Sequence, residues 1–307
     1  MIRFLLLVAG CLLLLFQHYV QPVPVQLQFI FFMTGILLVG IPHGAADLLV
    51  ATQNAENGKR IFSRLRFFAN YLLRLFLFAA IIWFFPLAGN LLFIVFAAYH
   101  FGETDLYQFK TNSLAGKLFV VSYGLLILAV ILLNHFDEVV PLLKSFNAGI
   151  NNMAFINWLG EHRIVLLSLF AVFFFASTFL YFITAAPTRH NQEQFLVQFA
   201  VILFILYNLP MLLGFTFYFV VWHSVLSLKN IVTYLRMDGT CRFSIIAKQI
   251  VFYSLLAIIG MSLFGFTGFM FVSHNTIMVY VFLALAVLTA PHMQIMHDMY
   301  KAIRSKM

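Results

Sequence analysis

The sequence predicts an all-α, polytopic transmembrane helical bundle, and three observations carry that prediction. The 307 residues are 63% hydrophobic and only 9% charged, where a soluble domain carries about 25% charged residues. Apolar runs long enough to cross a bilayer, roughly 20 residues, recur along the whole chain. Basic residues collect at alternate boundaries between those runs, which is the asymmetry that orients membrane helices. No polar stretch is long enough for a soluble domain, so residues 1–307 read as a single integral-membrane helical domain.

Taken in order, the runs place helices near residues 3–20, 29–50, 67–86, 90–108, 118–134, 163–186, 195–213, 214–235, 249–266 and 276–298. The first contains Leu7-Val8-Ala9-Gly10-Cys11, which has the look of a lipoprotein cleavage box. Its apolar run continues past Cys11 to Phe16, whereas a signal peptide ends at its cleavage site, so the segment reads as a helix. Asn208-Leu209-Pro210 lies near the end of the seventh run, close to its junction with the eighth; a tight hairpin there gives ten spans, one kinked element eight or nine. The stretch from Asn134 to Arg163 is the longest polar connection, with a short surface helix expected around Ala154–Leu159.

With the N-terminus in the cytoplasm, 14 of the 18 Lys and Arg residues, from Arg3 to Lys306, fall at cytoplasmic ends and loops. Lys144 and Arg163 fall outside, and Arg74 and Lys229 within spans. An even number of spans with both termini cytoplasmic fits this bias and implies a multi-pass protein of the cell inner (cytoplasmic) membrane. The net charge of +8 then faces anionic head groups. No basic helix carries interleaved aromatics, so nucleic acid is not an expected partner. Cys11 and Cys241 are too few and too far apart for a disulfide framework or a thiolate metal site.

An ionisable residue at membrane depth is costly and by default functional. Of ten histidines, His18, His135, His162, His190 and His274 fall at helix ends or in loops, where solvated histidine is unremarkable. His43, His100, His223 and His292 fall inside the second, fourth, eighth and tenth helices, which run in the same direction and place all four in one cytoplasmic-side layer; His297 lies nearer the surface. A lone intramembrane histidine is more often an interhelical hydrogen-bonding residue. Four at matched depth, with carboxylates nearby, favour a site for a first-row transition metal, which imidazole suits. Asp47 lies one turn after His43 on the same helical face, and Glu103 and Asp105 follow His100. A ligating histidine usually passes its other ring proton to such a carboxylate, so these three are the candidate outer partners, Asp47 for His43 first. Pro42 and Pro291 directly precede two of the histidines, and a proline leaves a backbone carbonyl free one turn earlier. Phe215, Tyr218, Phe219 and Trp222, beside the histidine layer, are candidates for lining a hydrophobic substrate tunnel.

Pro42-His43-Gly44-Ala45-Ala46-Asp47, Tyr99-His100-Phe101-Gly102-Glu103-Thr104-Asp105, Trp222-His223-Ser224 and Pro291-His292-Met293 resemble, in order and spacing, the Brp/Blh membrane family of beta-carotene 15,15'-dioxygenases. The resemblance spans about residues 30–300. It implies a non-haem Fe(II) enzyme that cleaves beta-carotene with O2 at its central 15,15' double bond into two all-trans-retinal molecules, with delivery to a microbial rhodopsin as one fate of the product. It also implies that His43 and His100 are iron ligands, with His223 matching the first histidine of the third motif. Many members carry a second histidine one turn later, where this chain has Ser227. The fourth ligand is therefore His292, His297 or absent. Two other classes stay open at this stage: a histidine-lined transporter for a metal ion or proton, against which stands the lack of an internal repeat, and a non-catalytic factor supporting a retinal protein.

Overall fold

The computed structural model describes residues 1–59, 61–145, 153–237, 242–269 and 277–305; Arg60, Cys241, His274 and Lys306 lie outside them. The described residues form helices without a strand. In chain order these are α1 (Ile2–Val20), α2 (Val25–Asn57), α3 (Arg64–Phe84), α4 (Pro86–Asp105), α5 (Leu114–Leu133), α6 (Phe136–Ser145), α7 (Met153–Glu161), α8 (Arg163–Ala185), α9 (Arg189–Asn208), α10 (Met211–Leu235), α11 (Phe243–Phe269) and α12 (Ile277–Ser305). Apart from the short α6 and α7, these helices take up the ten apolar runs. Seven of them, α1, α2, α3, α5, α8, α10 and α11, are long and apolar enough to cross a membrane. The expected surface helix is α7, and Leu209 is extended between α9 and α10, so the eighth run is a helix of its own.

Local chemistry sets the breaks. The Ser63 and Ser113 hydroxyls accept the backbone N–H groups of Arg66 and Gly116 and so cap α3 and α5. Pro86 opens α4 at the first turn, where its missing N–H costs nothing. Ala186 ends α8 in the left-handed region, φ 40°, ahead of Pro187.

In α5 and α10 the most apolar stretch is 72% buried, against 11–22% in α1, α2, α3, α8 and α11. These two helices form the centre, and most of the others turn Leu, Ile, Phe and Val outward, as lipid contact requires. Helix α4 lies tight against α5 because two glycines face backbone across the contact. A Cβ on Gly124 would run into the Ala98 carbonyl, and one on Gly102 into the Val120 carbonyl. Small residues at a helix crossing are what permits such approach in an apolar medium. The crossing brings the polar end of α4 against the middle of the bundle.

Among the described residues three stretches widen to the π form: Phe16–Val20 at the end of α1, Ile36–Gly40 inside α2 and Phe217–Ser224 inside α10. Ahead of Pro42 the Ile41 N–H reaches back five residues to the Ile36 carbonyl. In α10 the Ser224 hydroxyl donates to the Phe219 carbonyl at 2.7 Å, five residues earlier. Such bulges frequently accompany functional sites, and here two of the three contain or closely precede a histidine of the buried cluster, His223 and His43.

Candidate metal centre

His43 follows the widened turn of α2, His100 lies near the end of α4, His223 sits in the widened turn of α10, and His292 follows Pro291 within α12. All four are buried, and their rings converge. The centroids of His100 and His223 are 4.7 Å apart, those of His43 and His292 4.9 Å, those of His100 and His292 5.0 Å, and those of His43 and His223 5.7 Å. One ring nitrogen from each of His43, His100 and His223 lies within 4.8 Å of the others. The Nε2 atoms of His100 and His223 face each other at 3.2 Å.

The hydrogen-bonding pattern tests whether a cation fits. His292 Nδ1 meets Asp47 Oδ1 at 2.7 Å, so its proton goes to the carboxylate and its Nε2 keeps a lone pair. That Nε2 is buried and has no hydrogen-bond partner. The Nδ1 atoms of His100 and His223 are likewise buried without a partner, and for His43 only the Val39 and Gly40 carbonyls lie alongside, short of good hydrogen-bond geometry. Burying several polar nitrogens without partners is costly. One cation taking the His292 Nε2 lone pair and the facing Nε2 atoms of His100 and His223 would relieve part of that cost; the Nδ1 atoms of His100 and His223 lie on the far side of their rings. An all-imidazole donor set without thiolate suits borderline first-row metals, iron among them. The buried triad of His43, His100 and His223 can therefore bind a metal.

The carboxylates partner differently from expectation. Asp47 does not serve His43; its other oxygen accepts the Tyr71 hydroxyl at 3.2 Å, so it links His292 to α3. An i+4 position puts Asp47 on the His43 face, but the side chain leans across to α12. Glu103 touches none of the four histidines. It is buried against Arg304, 2.6 Å, His297, 3.0 Å, and Tyr99, 3.3 Å. His297 is thus held by Glu103 and by the Tyr99 hydroxyl, 3.1 Å, away from the cluster, because five residues beyond His292 is well over a helical turn. Asp105 also bonds to no histidine; its Oδ2 accepts from Tyr123, Tyr218 and Trp222. Tyr218 and Trp222 are both fully buried, with their polar tips committed to Asp105. Phe215 and Phe219 stay on the histidine side: they stack at 5.5 Å, and Phe219 stacks on His223 at 6.1 Å. Ser227 is fully buried and its hydroxyl has no partner.

Several residues at or around the site escaped sequence reasoning. Arg304 and Arg3 read as orienting charges at the cytoplasmic ends, yet Arg304 is buried on Glu103 and Arg3 donates to the Asp105 carbonyl and Gln198. Tyr71 lies beside Asp47 and Tyr123 beside Asp105, and the sequence singles out neither. Only their polar tips, inside otherwise apolar runs, hint at buried partners.

Fold and site together define a helical protein of membrane type, built around a buried centre of histidines drawn from four separate helices. Over residues 34–300 the chain matches the family model described as Beta-carotene 15,15'-dioxygenase, and it belongs to that family. No curated protein and no solved structure matches it.

Proposed function

We propose that this protein is an iron-dependent oxygenase that cleaves beta-carotene with O2 at the 15,15' double bond, giving two all-trans-retinal molecules. The observation that carries the reading is the convergence of buried His43, His100 and His223 within a chain of the beta-carotene dioxygenase family. Those three residues would hold Fe(II), with His292 completing the set in place of the histidine that Ser227 lacks. Bound iron would supply the redox chemistry that lets O2 react with a closed-shell polyene.

The chain's own contributions follow from its geometry. Asp47 holds His292 in the tautomer whose Nε2 lone pair faces the centre, a carboxylate–histidine arrangement that also raises ligand basicity. Four neutral imidazoles leave the cation's charge uncancelled and its remaining positions open to neutral ligands. Phe215 and Phe219 offer flat apolar faces beside His223, against which a rigid polyene can lie with its double bond near the centre. The buried aromatic surroundings exclude water, which protects reactive species from side reactions. Each aldehyde product takes one oxygen atom, so the conversion needs no external reductant and no net proton. A carotenoid dissolves in the bilayer, and a multi-pass protein of the cytoplasmic membrane can receive it laterally between helices.

The experiment is expression in cells engineered to make beta-carotene, followed by pigment extraction. The reading predicts loss of orange colour and appearance of retinal, dependent on iron and abolished in His43→Ala. Persisting colour with a folded, iron-loaded protein would sink it, and metal uptake across the membrane without carotenoid cleavage would favour transport instead.

A further inference from the structure

Among the four clustered rings, His292 is oriented by a hydrogen bond from outside the cluster, to Asp47. His223 has no such support, because its Nδ1 is buried without a partner. A ligating imidazole is normally aimed through its second nitrogen, so another device must aim His223. Packing against Phe101, 4.6 Å between centroids, and stacking on Phe219 limit the ring plane. They do not set the rotation of the turn that carries it, which is the widened stretch Phe217–Ser224. A π turn is rare and inserts one residue into the α-helical register, which turns the side chains beyond it to a new face.

On the other side of that turn, Tyr218 and Trp222 both donate to Asp105 Oδ2, at 3.0 and 2.9 Å, and Tyr123 of α5 donates to the same atom at 2.6 Å. Trp222 is the residue immediately before His223, and Asp105 lies five residues after His100 on α4. One buried carboxylate therefore ties the helix bearing His100 to the turn bearing His223. Helix α1 closes over this junction. Arg3 donates to the Asp105 carbonyl, and Gly10 lies so close to Phe217 that a Cβ there would come within 2.5 Å of its ring. All of α1 precedes the stretch matched to the family, which begins at residue 34.

We infer that Asp105 is a positioning residue for the metal centre: through Trp222 and Tyr218 it fixes the register of the π turn and so aims His223 Nε2 at His100 Nε2, with α1 locking the junction from outside. This rests on the reading of His223 as a ligand. Anaerobic titration of the detergent-purified full chain with Co(II) alone tests it, since the Co(II) visible bands report ligand arrangement independently of turnover. Trp222→Phe combined with Tyr218→Phe removes two donors while leaving an aromatic ring at each position, smaller than the indole at 222; Tyr218→Phe alone, which keeps its ring, separates lost donors from lost volume. The expected result is binding weakened about tenfold to a hundredfold, as for loss of other outer-shell supports, with shifted Co(II) bands. Asp105→Asn, which retains an acceptor oxygen, stays closer to wild type than Asp105→Leu. Where the double variant fails to fold, Tyr218→Phe alone shifts the bands in the same direction. Unchanged affinity and bands in the tyrosine and tryptophan variants, while His223→Ala loses binding, overturn the positioning role and leave the ligand reading standing. A His223→Ala variant with wild-type affinity and bands overturns both.

Discussion

Asp47 is the most informative single perturbation of the centre. Its Oδ1 sits 2.7 Å from His292 Nδ1, with the side chains 5% and 8% exposed, and its Oδ2 accepts from Tyr71. Asp47→Ala removes the hydrogen bond that supports the fourth imidazole from outside the cluster. It also leaves the His292 N–H and the Tyr71 hydroxyl without an acceptor in a buried place. Loss of an outer-shell partner of this kind costs about tenfold to a hundredfold in metal affinity, or about 1.4 to 2.8 kcal/mol. Each stranded donor adds roughly 1–3 kcal/mol of lost stability. Asp47→Asn preserves an acceptor and the shape while removing the charge, so it falls between wild type and alanine in affinity and unfolds near the wild-type temperature. The assay is an anaerobic Fe(II) titration of purified protein, with bound iron counted after gel filtration and thermal unfolding followed in parallel. If Asp47→Ala folds and binds iron as tightly as wild type, then His292 is no ligand and the carboxylate–histidine argument is wrong.

Further outcomes follow from the same geometry. His43→Ala, His100→Ala and His223→Ala should each abolish retinal formation and lower bound iron while remaining extractable as folded protein; iron content equal to wild type in all three would refute the triad. Glu103 and Arg304 form a buried pair joining α4 to the end of α12. Arg304→Met should therefore destabilise the protein by about 3–5 kcal/mol, as breaking one side of a buried pair does, and an unchanged unfolding temperature would contradict this. Ser227→Ala deletes a fully buried hydroxyl that has no partner, so stability should hold or rise and retinal yield should stay the same. A large loss of activity there would give Ser227 a role that its surroundings do not indicate.

The helices were legible because apolar run length maps directly onto bilayer thickness, and the interruptions are written in Pro, Ser and charged residues. The histidine layer was legible for a related reason: position within a run gives depth, and four histidines on helices of one direction share it. Partner choice was not legible. Spacing along one helix suggests Asp47 for His43, whereas the residue it bonds is 245 positions away. Which neighbour a side chain meets depends on the rotation of one helix against another, and that rotation follows from the close approach of α4 to α5 and from widened turns such as Phe217–Ser224, which carry no sequence signature. Arg304 shows the limit of charge counting: a basic residue at a helix end can orient the helix and still be buried against an acid on a neighbour.

The central claim is that buried histidines hold iron for symmetric cleavage of a carotenoid. Its most direct test is the product ratio from purified, metal-stripped protein given beta-carotene and O2, with and without added Fe(II). The account predicts two retinal molecules for each beta-carotene consumed, only when iron is restored. Products of unequal length, or equal retinal yield from iron-free protein, would contradict it.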